Sequence, residues 1–191
     1  LLHLGEGAWG AVICHPHPLH GGTMHNKVVD AAIRATASIR ASTLRFNYRG
    51  VGRSEGHYGE GIAEVLDLKA AIDTLRRYST FQRLFLIGFS FGTGVVSRYL
   101  AEGGEADAAV LIAPPFSMHP LPTFVIPTTA GLHMVLGEKD SFCTPDDLDR
   151  YIATFDGFVR SKIIDEADHF FHGHLHELAD FISEAIPHAI R

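Results

Sequence analysis

Cysteine is almost missing from this chain of 191 residues: only Cys14 and Cys143 occur, far apart. Such a pair forms neither a disulfide framework nor a metal-ligand spacing. Free thiols fit a reducing, cytoplasmic compartment. Long hydrophobic runs are also lacking. The best, Leu84–Ile87, is only strand-sized, so no membrane partner is expected. Positive charge is in deficit, with 16 Lys and Arg against 22 Asp and Glu. A net charge of −6 and no basic stripe argue against a nucleic-acid partner. Repeats, low-complexity tracts and linker-like stretches are absent, so residues 1–191 read as one domain. The first residue is Leu1 rather than Met, which leaves trimmed N-terminal strands or a lost signal peptide open.

What is present is alternation. Apolar runs of strand length are separated by segments with helical spacing, the pattern of a mostly parallel sheet covered on both faces. Leu1–Leu4 reads as the end of a strand with partners upstream. Ala11–Cys14, Thr43–Phe46, Arg83–Phe89, Ala108–Ala113, His133–Leu136 and Lys162–Ile164 read as further strands. Val28, Ala32, Ala35 and Ile39 mark one helix face; Val65, Leu68, Ile72 and Leu75 mark another. Thr144-Pro145-Asp146-Asp147 is a helix start, with a capping hydroxyl, an N-terminal proline and early acids. Leu148, Ile152 and Phe155 are expected to face inward from that helix. A last helix carries Leu175, Leu178 and Ile182 and runs out near Pro187. The expected fold class is a doubly wound α/β sheet.

The segment Gly88-Phe89-Ser90-Phe91-Gly92 matches G-x-S-x-G between a strand and a helix. A serine on that sharp turn has a strained backbone and an exposed hydroxyl. Glycines two before and two after keep side chains out of the tight strand–helix approach. The motif is short enough for chance to supply, so its context decides. A serine hydroxyl needs a base, and the base needs an acid to orient it. In this arrangement the partners follow in the order Ser, acid, His, each after a strand. Asp140 is the acid candidate, with Glu138 as its rival. His169, in Ala167-Asp168-His169-Phe170-Phe171, is the base candidate, with His172 as its rival.

Thirteen histidines are unusual for this length, and His169, His172, His174 and His176 are clustered. A metal reading of the cluster is disfavoured, because alternate positions at a helix start point to different faces. Another group lies in His15-Pro16-His17-Pro18-Leu19-His20-Gly21-Gly22. An oxyanion hole needs a backbone N–H from this loop and a second from Phe91 at the helix start. Pro16 and Pro18 carry no N–H, which leaves His17 or Leu19; His17 is favoured. Phe91, Phe116, Phe142 and Phe170 are candidate pocket residues for an apolar or aromatic acyl group. Gly50-Val51-Gly52-Arg53-Ser54-Glu55-Gly56 comes near a dinucleotide fingerprint, but its third glycine is one residue late. It reads instead as a turn where Asn47 and Arg49 tie loops together.

Together these stretches, with Arg45-Phe46-Asn47-Tyr48-Arg49-Gly50-Val51-Gly52, resemble the α/β-hydrolase superfamily over nearly the whole chain. The likeness is to its small lidless bacterial serine hydrolases, close to dienelactone hydrolases. It implies an α/β-hydrolase fold without a cap domain and a triad of Ser90, Asp140 and His169. The amides of Phe91 and His17 would form the oxyanion hole. It also implies hydrolysis of a small carboxylic ester through an acyl-enzyme, with no metal and no cofactor. Dienelactone hydrolases proper use a cysteine where this chain has Ser90. A short, proline-rich Pro114–Ala130 suggests an open cleft. A silent hydrolase-fold scaffold, or a peptidase or acyltransferase with the same triad, stays open. Substrate identity and oligomeric state are not readable.

Overall fold

A computed structural model describes residues 1–127 and 129–185. The strands are β1 (Leu2–His3), β2 (Trp9–Cys14), β3 (Ser42–Arg45), β4 (Arg83–Phe89), β5 (Ala108–Ile112), β6 (Gly131–Gly137) and β7 (Val159–Ile164). The helices are α1 (Lys27–Ala37), α2 (Glu64–Tyr78), α3 (Phe91–Ala101), α4 (Pro145–Ile152) and α5 (Leu175–Glu184). A single 3-10 turn covers Pro18–His20. One seven-stranded sheet runs in the order β1-β3-β2-β4-β5-β6-β7. Every pair is parallel except β1 with β3.

The order explains where the helices go. From β2 the chain moves one way to β3, then crosses back to β4 and continues outward. Right-handed crossovers place helices of the two directions on opposite faces. The core accordingly has two halves. One packs Leu68, Ile72, Val95 and Leu148, from α2, α3 and α4, on Val12, Leu84, Leu86 and Leu111. The other packs Val28, Ala32, Leu178 and Phe181, from α1 and α5, on Ile13, Phe85, Ile87 and Val110. Strands buried on both faces need apolar residues at every position, so β2 is buried throughout and β4 from Leu84 onward.

The direction change lies between β2 and β4, and the crevice beyond their carboxyl ends is the fold's natural ligand site. Gly88 and Gly92 set the spacing there. A Cβ on Gly92 would lie 2.5 Å from the Cys14 carbonyl oxygen, and one on Gly88 would lie 2.5 Å from the Gly92 oxygen. Beside this contact sits His15, fully buried. Its Nδ1–H donates to the Pro16 oxygen at 2.7 Å, and its Nε2 accepts the Tyr48 N–H at 3.1 Å. Asn47 and Arg49 do tie loops: Asn47 Oδ1 accepts the Met24 N–H at 2.8 Å, and the Arg49 guanidinium pairs with Asp67 on α2.

Several expectations need correction. Leu2 and His3 have a partner inside the chain, pairing antiparallel with β3 at the sheet edge. The last strand begins at Val159, because its partly exposed edge breaks the apolar run. Helix α4 ends at Ile152, so Phe155 falls in the following turn, but Ile152 and Phe155 still pack partly buried against the core beside Leu148 and Tyr151. His174 caps α5 and only His176 lies inside it. The expected helix end at Pro187 lies outside the described residues. Among the described residues no helix is long and apolar enough to cross a membrane.

Two outcomes follow from these contacts. Gly92→Ala is expected to lower stability by about 1–3 kcal/mol, since a backbone carbonyl must move; a urea midpoint measures it. Burial lowers the His15 pKa from 6.5 to about 4. Between those values the unfolded chain takes up a proton that the native fold refuses. Stability from this group is therefore complete above pH 6.5 and falls as the pH drops toward 4. The loss reaches about 3 kcal/mol. Urea midpoints measured across that range should fall with pH, less steeply in His15→Gln.

Candidate active site

Ser90 follows β4 directly and adopts φ 52° and ψ −120°. A residue other than glycine in that region costs about 1–3 kcal/mol, which the surroundings must offset. Its N–H donates to the Ile112 oxygen at 2.9 Å. Its oxygen accepts the Thr93 hydroxyl at 2.6 Å. The turn thrusts the hydroxyl out beyond the strand ends.

Asp140 follows β6 and His169 follows β7. Backbone bonds lash the two loops together: Glu138 N–H to Ile164 O at 2.9 Å and Lys139 N–H to Ala167 O at 2.8 Å. Gly137 permits the approach, since a Cβ there would lie 2.4 Å from the Ala167 oxygen. As a result His169 Nδ1 lies 2.7 Å from Asp140 Oδ2, and His169 Nε2 lies 3.0 Å from Ser90 Oγ. A carboxylate only accepts, so Nδ1 carries the proton and Nε2 is free to accept from the serine. The other carboxylate oxygen, Oδ1, accepts the Phe142 N–H at 2.7 Å. The Asp140 side chain has no exposed surface.

The rivals lie elsewhere. Glu138 is exposed and accepts the Glu166 N–H. His172 is exposed and pairs with Asp168 at 2.7 Å. His174 and His176 pair with Glu177 and Asp180. Each clustered histidine beyond His169 thus has its own carboxylate. Among the described residues no group of three or more His, Cys, Asp or Glu is arranged to hold a metal. Both thiols are buried, and burial pushes each up to about 12; near Cys143 the Asp140 charge adds to the effect.

The serine opens into a pocket of about 150 Å³. Residues of the loop from Pro16 to Gly22, with Asn26, Met118, Phe142 and Phe170, line it together with Ser90 and His169. The 3-10 turn uses the Leu19 N–H internally, donating to His17 Nδ1 at 3.2 Å. The His17 and Phe91 N–H groups have no acceptor among the described residues. Burial, and then repulsion from His20 and His119, lowers the His17 side-chain pKa.

Two candidate pocket residues are misplaced. Phe116 turns away and packs on Tyr151, with ring centroids 4.8 Å apart. The Phe91 ring lies behind the pocket against His17, Tyr48 and Tyr58. Neither direction is encoded locally, because both are set by distant aromatic partners. Met118, His20 and Asn26 also line the pocket, which their positions in the sequence do not signal. Ser90 and His169 are each only 6% exposed. Yet among the described residues the β5–β6 connection has no helix or strand of its own.

The comparisons agree with this picture. The family model described as "Serine aminopeptidase, S33" matches residues 17–139. An uncharacterised protein of Rickettsia prowazekii is 32% identical over 182 residues, covering 91% of this chain and 76% of its own. An alpha-beta serine hydrolase homologue from Coxiella burnetii superposes with a TM-score of 0.88 at 31% identity. That match covers 97% of this chain and 90% of the other. A serine hydrolase without lid from Xanthomonas campestris gives 0.86 at 30% identity, covering 96% and 85%. The family description names serine aminopeptidases, where the sequence had pointed nearer to dienelactone hydrolases. With its fold, serine elbow and family match agreeing, the chain belongs to the α/β-hydrolase family whose model is described as serine aminopeptidase, S33.

Proposed function

We propose that the protein is a carboxylic-ester hydrolase that works through an acyl-enzyme on Ser90. The observation that carries this reading is the continuous chain Ser90–His169–Asp140, at 3.0 and 2.7 Å, opening onto an apolar-walled pocket. His169 Nε2 takes the serine proton as Oγ attacks the ester carbonyl. Asp140 holds the tautomer and stabilises the imidazolium that forms. The N–H groups of Phe91 and His17 receive the developing oxyanion. His169 then returns its proton to the leaving alcohol. Water, deprotonated by the same histidine, attacks the acyl carbon; the bond to Oγ breaks, His169 returns the proton to Ser90, and the acid leaves.

The family description favours a second reading, hydrolysis of an N-terminal amino acid amide. That chemistry would have to hold a free ammonium group, which calls for a nearby carboxylate. The residues lining the pocket include none. The ester reading is therefore preferred, with a small-molecule acyl substrate. The pocket volume matches a benzene-sized guest. Short or single-ring acyl groups fit, and the Phe142 and Phe170 rings would flank them.

Three measurements test the reading. A fluorophosphonate probe should label the native protein and leave Ser90→Ala unlabelled. Asp140→Asn should lower kcat by about 10³–10⁴ while the fold survives. Across an ester series, kcat/KM should peak on short or aromatic acyl groups. Long chains should fall about tenfold or more below that peak. Faster cleavage of aminoacyl amides than of any ester would overturn the proposal in favour of the peptidase.

A further inference from the structure

Pro16 O and His17 N–H belong to one peptide unit. The described residues contain no cis peptide bond, so these two groups point in opposite directions from one plane. His15 Nδ1 holds the oxygen end at 2.7 Å from the buried side. The N–H end is thereby turned away from His15, on a unit whose two residues line the pocket together with Ser90.

We infer that His15 is a positioning residue, which aims the His17 N–H into the oxyanion hole by gripping the Pro16 carbonyl. The inference rests on the serine-hydrolase reading above. Its parts are mutually fixed. A carbonyl only accepts, so Nδ1 must carry the proton. The Tyr48 N–H reaches Nε2 at 3.1 Å, so that nitrogen must not. One neutral tautomer satisfies both bonds. The imidazole has no exposed surface and lies on the Tyr48 ring at a centroid distance of 4.3 Å. Its grip is therefore referred to the loop after β3, not to solvent.

The following peptide is pinned as well. His17 O accepts the N–H groups of His20 at 3.1 Å and Gly22 at 3.0 Å. Pro16 and Pro18 have no N–H that could compete. The Pro16–His17 unit is held by the His15 side chain through its carbonyl oxygen, whereas the Leu19 N–H further along the loop is taken by His17 Nδ1. Without the His15 side chain the unit could rotate between its neighbours and turn the carbonyl oxygen toward the site. An oxygen there would repel the oxyanion, so the loss would fall on the transition state rather than on substrate binding.

The test starts from native turnover that Ser90→Ala abolishes; absence of that turnover defeats the serine-hydrolase reading itself. With it in hand, His15→Phe keeps a ring of similar size and removes both bonds. Its kcat should fall about ten- to a hundredfold with KM within about twofold. Affinity for an alkylboronic acid, whose adduct places an oxygen in the hole, should fall by a similar factor. His15→Gln, which can still donate and accept, should recover part of both. Unchanged kcat and boronate affinity in a folded His15→Phe would overturn the inference while leaving the hydrolase reading intact. Should His15→Phe fail to fold, the native imidazole decides the question. Nitrogen-15 shifts of His15 should show the Nδ1–H tautomer, and an Nε2–H form would defeat the proposal.

Discussion

The contact between the start of α3 and the end of β2 governs the rest of the molecule. Gly92 stands where a methyl group would meet the Cys14 carbonyl at 2.5 Å. Because no methyl is there, the helix after the serine can press against the neighbouring strand. Three consequences follow from one missing atom. Ser90 is forced through a positive φ of 52°. The free N–H groups at the α3 N-terminus are brought beside the loop that follows Cys14. And that loop comes to line the same pocket as the serine. The strain of the turn is borne by the sheet around it, where Phe89 and Ile112 are fully buried.

The acid and base hang from the far side of the same sheet, on β6 and β7, and their position depends on backbone rather than side-chain contacts. Two main-chain bonds and the bare Cα of Gly137 hold the loops in register. Asp140 is thus enclosed without exposed side-chain surface, where an unpaired carboxylate would be costly. It is not unpaired: one oxygen takes the imidazole, the other the Phe142 amide. Phe142 joins structure to chemistry, because its ring also packs on His169 at 4.6 Å. The same residue anchors the acid, seats the base and walls the pocket.

Much of this was legible in the sequence, and the reason is physical. A strand covered on both faces has no polar position to hide, so Leu84–Phe89 and Ala108–Ile112 read as unbroken apolar runs. Ser90 and Asp140 each follow such a run and His169 follows the broken run of β7, and sequence order then brings them to one sheet edge. What could not be read depends on directions chosen by distant partners. Phe116 lies in an irregular segment, and Tyr151 draws it away from the site. Phe155 fitted the helical spacing of Leu148, but the helix had already ended at Ile152. Glu64 is a further example: fully buried, it accepts the N–H groups of Gly59 and Gly61 and closes the loop before α2. Its place in the first turn of α2 carries no sign of that role.

The many histidines, the oddest feature of the composition, divide by solvation. Those after β7 at positions 172, 174 and 176 each pair locally with a carboxylate and leave the pocket alone. His169 is enclosed with an acid and keeps a basic nitrogen turned to the serine. His15 is enclosed without an acid, between a carbonyl and an amide, an environment that suits only the neutral ring. The difference separates a residue that can move a proton from one that can only hold a direction. A base must be able to become a cation, and Asp140 provides for that. A strut must never do so, and burial of His15 against uncharged backbone groups prevents it near neutral pH. The same side chain thus serves two opposite needs, and the neighbouring partner decides which.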